Sequence, residues 1–133
     1  MSTVADFEYL SKTKLKTGEG VSSTIAEELR QRGAKNPLLV TDANIAELGV
    51  LNPIEESLTD AGAEYTVFDG VVPNPKAETF TAPVDQFSAE GCDSVVAIGG
   101  GSSIDTGKAI SILVENGGEI SEYYGVDNVP EPI

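Results

Sequence analysis

The sequence of 133 residues contains no histidine, no tryptophan and a single cysteine. Without histidine, the chain lacks the usual general base of enzymes and the commonest protein ligand of transition metals. Cys92 has no partner for an internal disulfide, which favours a reducing cytoplasm, and we expect it to be a small core residue. No apolar run reaches the roughly 18 residues of a membrane-spanning helix. The amino-terminal residues lack the basic and apolar regions of a secretory signal, so we expect neither feature.

Basic residues are also scarce, because 8 Lys and Arg stand against 22 Asp and Glu, for a net charge of −14. The imbalance lies in residues 36–133, which hold 17 acids and two bases, Lys76 and Lys108. Such a surface repels nucleic acid and anionic lipid, so neither is an expected partner. The acids are interleaved with apolar residues, which argues against disorder. We therefore favour a protein adapted to concentrated salt, which screens the repulsion between its acids.

Apolar runs alternate with helical patterns along the chain. Three short runs predict buried strands: Pro37–Thr41, Tyr65–Phe68 and Ser94–Ile98. Four segments predict helices: Val21–Gly33, Asn52–Gly62, 77–91 and Ser103–Glu115. Ser22 or Ser23 is expected to cap the first helix and Asn52 the second, while Pro83 is expected to kink the third or to start its second half. This alternation predicts an α/β fold with a parallel sheet that is covered on both faces.

The stretch VVAIGGGSSIDTGKAI, Val95–Ile110, joins the third predicted strand to the last predicted helix through three glycines. Glycines let the backbone take positive φ and approach a ligand closely. Ligands of parallel sheets bind at the carboxyl ends of the strands, where Asp42, Asp69 and Gly99 fall. The N–H groups and the dipole of the following helix favour an anion, and a phosphate or pyrophosphate is the expected occupant. The spacing fits neither the P-loop nor the common dinucleotide fingerprint.

Simpler structural interpretations remain open for the same residues. Three glycines also suit a tight strand-to-helix turn without a ligand, although they are more permissive than such a turn requires and Ser102 adds a donor. Asp105 and Lys108 lie three residues apart on one helix, a spacing that favours a surface ion pair. Asp42 can cap a short helix over residues 43–48 instead of contacting a ligand.

The segment GGGSSIDTGKAI, Gly99–Ile110, resembles the GGGSxxDxxK signature of the iron-containing (group III) alcohol dehydrogenases. Three further stretches resemble the family in the expected order: GEG at 18–20, LLVTD at 38–42 and FDGVVPNP at 68–75. The last of these is similar to the corresponding stretch of lactaldehyde reductases (propanediol oxidoreductases). The resemblance spans roughly residues 7–130, which makes it specific.

The resemblance implies that residues 1–133 form the family's dinucleotide-binding α/β domain, with a Rossmann-like open, mostly parallel sheet, helices on both faces, and NAD as cofactor. It implies five cofactor-binding residues: Asp42, Asn74, Gly100, Gly101 and Ser102. The last three would hold the pyrophosphate. Asn74 would lie beside the cofactor, and Asp42 near the adenosine ribose. Asp105 and Lys108 would support the loop and its helix.

In the family, a C-terminal helical domain supplies an aspartate and three histidines to iron or zinc. We expect that domain to be absent from these residues, so that this chain binds no metal. The implied function is to bind NAD for hydride transfer between an alcohol or aldehyde and the nicotinamide, with the chain catalytically incomplete alone. The alternatives are a stand-alone nucleotide-binding module and a structural partner of a separately encoded helical half. A homodimer or an association with such a half is the expected assembly.

Overall fold

The computed structural model describes residues 13–123, and these contain five α-helices and three β-strands. In chain order they are α1 (Ile25–Gln31), β1 (Pro37–Val40), α2 (Ala43–Glu47), α3 (Asn52–Asp60), β2 (Thr66–Phe68), α4 (Thr81–Ala89), β3 (Ser94–Ala97) and α5 (Gly101–Asn116). Single turns of 3₁₀ helix occur at Val21–Thr24, Ala77–Phe80 and Ile120–Tyr123. The first two turns run directly into α1 and α4, so each of these two predicted helices has a 3₁₀ start.

The three strands form one parallel sheet in the order β2-β1-β3. Leu38 of β1 lies level with Thr66 of β2 and with Val95 of β3. All four residues of β1 are buried, as a strand requires when it has a neighbour on each side and helices above and below. The predicted parallel, open α/β sheet is confirmed.

Two apolar cores lie on opposite faces of the sheet, because successive side chains of β1 alternate between the faces. Leu39 packs with Leu58 of α3 in the first core, to which α1 also contributes. Leu38 packs in the second core with Phe87 of α4 and Ile110 of α5. Full burial of a leucine side chain stabilises the fold by about 1.5–3 kcal/mol. The prediction of helices on both faces is confirmed, and Cys92 packs against the second core as expected.

The N-caps predicted for the first two helices are wrong. Neither Ser22 nor Ser23 caps a helix by its side chain, because the chain here winds into the 3₁₀ turn and Ser23 Oγ donates to the Gly20 carbonyl at 2.7 Å. Asn52 is the first residue of α3, and Leu51 takes the N-cap position without a side-chain bond. Leu51 is buried in the first core, so packing decides where this helix begins.

Pro83 lies in the first turn of α4, where the backbone needs no N–H from it. Because the 3₁₀ turn ends at Phe80 and α4 begins at Thr81, the proline is the third residue of the α-helical half. The prediction that Pro83 starts the second half of this segment is confirmed.

Asp93 joins the amino ends of β1 and β3. Its carboxylate accepts hydrogen bonds from the N–H groups of Lys35 at 2.7 Å and Asn36 at 3.0 Å, and from Ser94 Oγ at 2.9 Å. Burial raises the pKa of Asp93, but these hydrogen bonds outweigh it and hold the pKa below the ordinary value. The ionised carboxylate therefore fixes the connection between α1 and β1 against β3.

Candidate functional site

The strand order places a topological switch point, which we call the crevice, between the carboxyl ends of β1 and β3. The chain leaves β1 towards α3, which covers one face, whereas β3 leads into α5 on the opposite face. Connections that diverge in this way from neighbouring parallel strands mark the position where ligands of α/β sheets bind. Asp42 follows β1 and the three glycines follow β3, so both lie at this crevice.

Thr41 holds the carboxyl ends of all three strands together. Its side chain is fully buried, and its Oγ1 donates to the Ile98 carbonyl at 2.8 Å. Its N–H donates to the Phe68 carbonyl at 2.9 Å, and its own carbonyl accepts from the Val71 N–H at 3.2 Å. Sequence reasoning treated Thr41 only as the end of a strand. The available signal was a hydroxyl residue at the end of an otherwise apolar run.

The fold itself requires glycine at only one of the three positions. Gly99 has φ +134°, and a Cβ there would lie 2.9 Å from Ser103 Oγ. Gly100 is the N-cap of α5 with φ −89°, and Gly101 is the first residue of that helix. A Cβ on either of these two would meet no atom within 4 Å. The expected positive φ is therefore confined to Gly99, while Gly100 and Gly101 leave open space in front of the helix.

Helix α5 begins at Gly101, two residues before its predicted start, and no side chain caps it. Its first N–H groups have no acceptor within the helix, and no acidic residue lies in its first turn. The partial positive charge of the α5 N-terminus therefore faces the crevice without a neutralising carboxylate in its own first turn. This geometry suits the anion that the sequence predicted.

The two serines of the loop differ in their surroundings. Ser102, the predicted ligand residue, is half-buried, and its carbonyl accepts from Thr106 Oγ1 at 2.7 Å. Ser103 is 1% exposed, and its Oγ has no hydrogen-bond partner among residues 13–123. Sequence reasoning missed Ser103, because nothing in the sequence distinguishes it from its neighbour.

Asp42 is the N-cap of α2, and its Oδ1 accepts from the Ile45 N–H at 2.8 Å. The capping interpretation is thus confirmed, with α2 occupying residues 43–47 of the expected 43–48. The second carboxylate oxygen, Oδ2, accepts no hydrogen bond from any residue that the structure describes. One half-buried carboxylate oxygen therefore remains available at the crevice.

Asn74 is exposed in the loop that follows β2, with φ +49°, a conformation that asparagine tolerates. Because β1 stands between β2 and β3, this loop lies across the sheet from the glycines. The structure thus brings Asp42, Gly100, Gly101 and Ser102 to one crevice and places Asn74 at the neighbouring strand end. The role of each in cofactor binding stays a prediction.

Asp105 and Lys108 are both exposed on α5. The expected ion pair between them is wrong: the ion pairs of residues 13–123 form only within the segment 14–30. An exposed ion pair contributes little to the free energy of folding, so the fold loses little when Asp105 and Lys108 are each solvated separately. Between them, Gly107 faces β3, and a Cβ there would lie 2.9 Å from Ala97 Cβ.

A pocket of about 700 Å³ lies beside Gly99 on the α1 side of the sheet, with Val96 on its wall. Lys16 is the basic residue of its lining, and its Nζ lies 3.1 Å from Glu28 Oε1. Hydrogen bonds from Lys14 and Lys16 hold the pKa of Glu28 below its ordinary value. Lys16 is thus engaged by a carboxylate that it shares with Lys14.

No three Cys, Asp or Glu side chains within residues 13–123 lie close enough to hold a metal ion, and the sequence has no histidine. The described residues therefore do not fit a metal site. In the same part of the chain, no helix is long and apolar enough to cross a membrane.

Comparison with known proteins agrees with this architecture. NAD-dependent methanol dehydrogenase of Bacillus methanolicus is 39% identical over 116 residues, which are 87% of this chain and 30% of that protein. A solved 1,3-propanediol oxidoreductase superposes with a TM-score of 0.83 at 35% identity, over 87% of this chain and 30% of its own. NADH-dependent butanol dehydrogenase A from Thermotoga maritima superposes with a TM-score of 0.86 at 27% identity, over 96% of this chain and 33% of its own.

The chain thus spans about a third of the length of these relatives. The family model of iron-containing alcohol dehydrogenases matches residues 12–132. Since this match covers nearly the whole sequence, the chain belongs to the iron-containing alcohol dehydrogenase family.

Proposed function

We propose that this chain is the dinucleotide-binding part of an NAD-dependent oxidoreductase that interconverts short alcohols and aldehydes. One observation carries the proposal. Gly100 and Gly101 are glycines that the fold does not require, and they stand in front of an uncapped helix N-terminus at the crevice. In a helix, glycine is less stable than alanine by about 0.5–1 kcal/mol. A close-lying anion explains why alanine does not occupy position 101, the first residue of the helix.

The proposed contacts follow from the free groups of the crevice. The N–H groups of Gly101 and Ser102 donate to the pyrophosphate, and the helix dipole favours its charge. Asp42 keeps Oδ1 on the Ile45 N–H and offers Oδ2 to the ribose hydroxyls. Asn74 approaches the cofactor from the strand end beyond β1. The same Asp42 carboxylate repels the 2′-phosphate of NADP, which makes NAD the preferred cofactor.

Bound NAD supplies the hydride acceptor or donor of the reaction. The residues of this chain bind the dinucleotide and orient it, and residues 13–123 do not form the metal site of the family. The relatives' names specify methanol, butanol and 1,3-propanediol, which supports short primary alcohols as the substrate class. The resemblance of residues 68–75 to lactaldehyde reductases makes lactaldehyde and 1,2-propanediol the specific candidates. We propose that this chain alone does not turn them over.

Calorimetric titration of the purified chain with NAD⁺ tests the proposal. We expect measurable binding by the wild type, stronger than that of NADP⁺, and none by Gly101→Val, whose side chain fills the open space. Ala89→Val is the matched control, because it adds the same branched side chain at an exposed helical position at the far end of α4. A folded Gly101→Val protein that binds NAD⁺ like the control would show that the glycines serve only the turn. Oxidation of 1,2-propanediol by this chain with added iron would contradict its proposed incompleteness.

A further inference from the structure

Ser103 carries a buried hydroxyl that the free protein leaves unused. The residue is 1% exposed, and Oγ has no hydrogen-bond partner among the described residues. Such a group is unusual, since a buried polar atom without a partner destabilises a fold by about 1–3 kcal/mol. The hydroxyl lies directly beneath the glycine loop, 2.9 Å from the position that a Cβ of Gly99 would occupy.

The other hydroxyls of the same helix show which acceptor is missing. Thr106 Oγ1 donates to the carbonyl four residues earlier, that of Ser102, at 2.7 Å. Ser111 Oγ does the same to the Gly107 carbonyl at 2.9 Å. For Ser103, the carbonyl four residues earlier is that of Gly99. Gly99 has φ +134°, so the backbone leaves the helical path there and this hydrogen bond is not formed.

Rotation of the peptide between Gly99 and Gly100 would complete this pattern. The N–H and C=O of a trans peptide point in opposite directions. When the Gly99 carbonyl turns inwards to the Ser103 hydroxyl, the Gly100 N–H therefore turns outwards, into the crevice. A glycine on each side of the peptide makes the rotation sterically easy.

We propose that Ser103 is a positioning residue for the dinucleotide. Its hydroxyl donates to the Gly99 carbonyl in the bound state and thereby holds the Gly100 N–H towards the pyrophosphate. The bound state gains a hydrogen bond that the free state lacks, so the binding of the anion and the pairing of the hydroxyl stabilise each other. The inference rests on the proposed binding of a dinucleotide at this loop.

Ser103→Ala tests the inference, because it has opposite effects on stability and on affinity. Removal of an unpaired buried hydroxyl leaves the free protein as stable as the wild type or more stable, measured by thermal unfolding. Affinity for NAD⁺, measured by calorimetry, falls about five- to tenfold, the change expected for one neutral hydrogen bond. A merely structural serine would not lower affinity while stability is maintained.

Ser111→Ala is the matched control on the same helix. Its hydroxyl is already paired with the Gly107 carbonyl, so we expect lower stability and unchanged affinity. In protein labelled with ¹⁵N-glycine, the Gly100 amide should shift on addition of NAD⁺ in the wild type and shift less in Ser103→Ala. Equal affinities of the wild type and Ser103→Ala would overturn the role of Ser103 alone. A wild type that binds no NAD⁺ would overturn the proposed function and this inference with it.

Discussion

Replacement of Gly101 by alanine separates what the fold requires from what a ligand requires. Gly101 is the first residue of α5, and a Cβ there would meet no atom within 4 Å. Alanine exceeds glycine in helix stability by about 0.5–1 kcal/mol, and the end of a helix shows the lower part of that range. We therefore expect the free energy of unfolding to rise by about 0.5 kcal/mol, with a melting temperature about 1–3 °C higher.

The same methyl group should weaken the binding of NAD⁺. It projects into the space in front of the α5 N-terminus, where the pyrophosphate is proposed to lie. Displacement of the anion by one methyl group removes one charge-assisted hydrogen bond, which contributes about 1.5–3 kcal/mol. We expect the dissociation constant to rise about ten- to hundredfold, measured by calorimetry alongside thermal unfolding.

Gly107→Ala is the control for this experiment. Its methyl group would lie 2.9 Å from Ala97 Cβ, so the helix must move away from β3 and stability should fall. Substitution by alanine is thus expected to raise the free energy of unfolding at position 101 and to lower it at position 107. If Gly101→Ala raises stability and leaves affinity unchanged, the ligand does not lie against Gly101. If Gly101→Ala lowers stability, the fold requires glycine at position 101 in spite of the open space around its Cβ.

Four further outcomes are expected. Asp42→Asn keeps the cap on the Ile45 N–H but removes the charge, so calorimetry should show about tenfold better relative binding of NADP⁺ with an unchanged melting temperature. Thr41→Val leaves the Ile98 carbonyl without its donor, and unfolding in urea should show a loss of about 1–2 kcal/mol. The melting temperature should climb from low to molar salt, because ions shorten the reach of the repulsion among 17 acids in residues 36–133; a flat curve would contradict this. The pKa of Asp93 is lowered in the folded state, so its contribution to stability is present above its ordinary value near 4 and is lost as the pH falls through the lower, folded value. Asp93→Asn should flatten the pH dependence of unfolding in that acid window.

The features that the sequence predicted correctly are those that depend on residues close together in the sequence. The short apolar run Pro37–Thr41 favours a buried strand, and three such runs separated by helical patterns favour a parallel sheet. The crevice also followed from sequence, because the carboxyl ends of parallel strands share one edge. The sequence alone therefore places Asp42 and the glycines at the same edge of the sheet.

The features that the sequence did not predict depend on contacts across the sheet or between turns. Three adjacent glycines look alike in a sequence, and only the backbone angles and the space at each Cβ distinguish Gly99 from the other two. The role of Thr41 depends on a hydrogen bond to the Ile98 carbonyl, 57 residues away in the sequence. The role of Ser103 depends on a hydrogen bond that its hydroxyl does not form with the carbonyl four residues earlier. The cap at Asn52 was mispredicted because the burial of Leu51 outweighs the preference of Asn52 for a cap position.

The charge of the chain explains why the proposed site has this form. A protein with net charge −14 that binds a pyrophosphate cannot rely on its general field, which repels the ligand. Among residues 13–123, Lys16 is engaged by Glu28, which also binds Lys14, and Lys108 is exposed in the second turn of α5. What remains is the neutral backbone: uncapped N–H groups, a helix dipole, and glycines that let the anion approach them. Because these dipoles act only at short range, an added methyl group or a peptide turned away from the anion should lower the affinity for the pyrophosphate. Substitutions at Gly101 and Ser103 test these two effects.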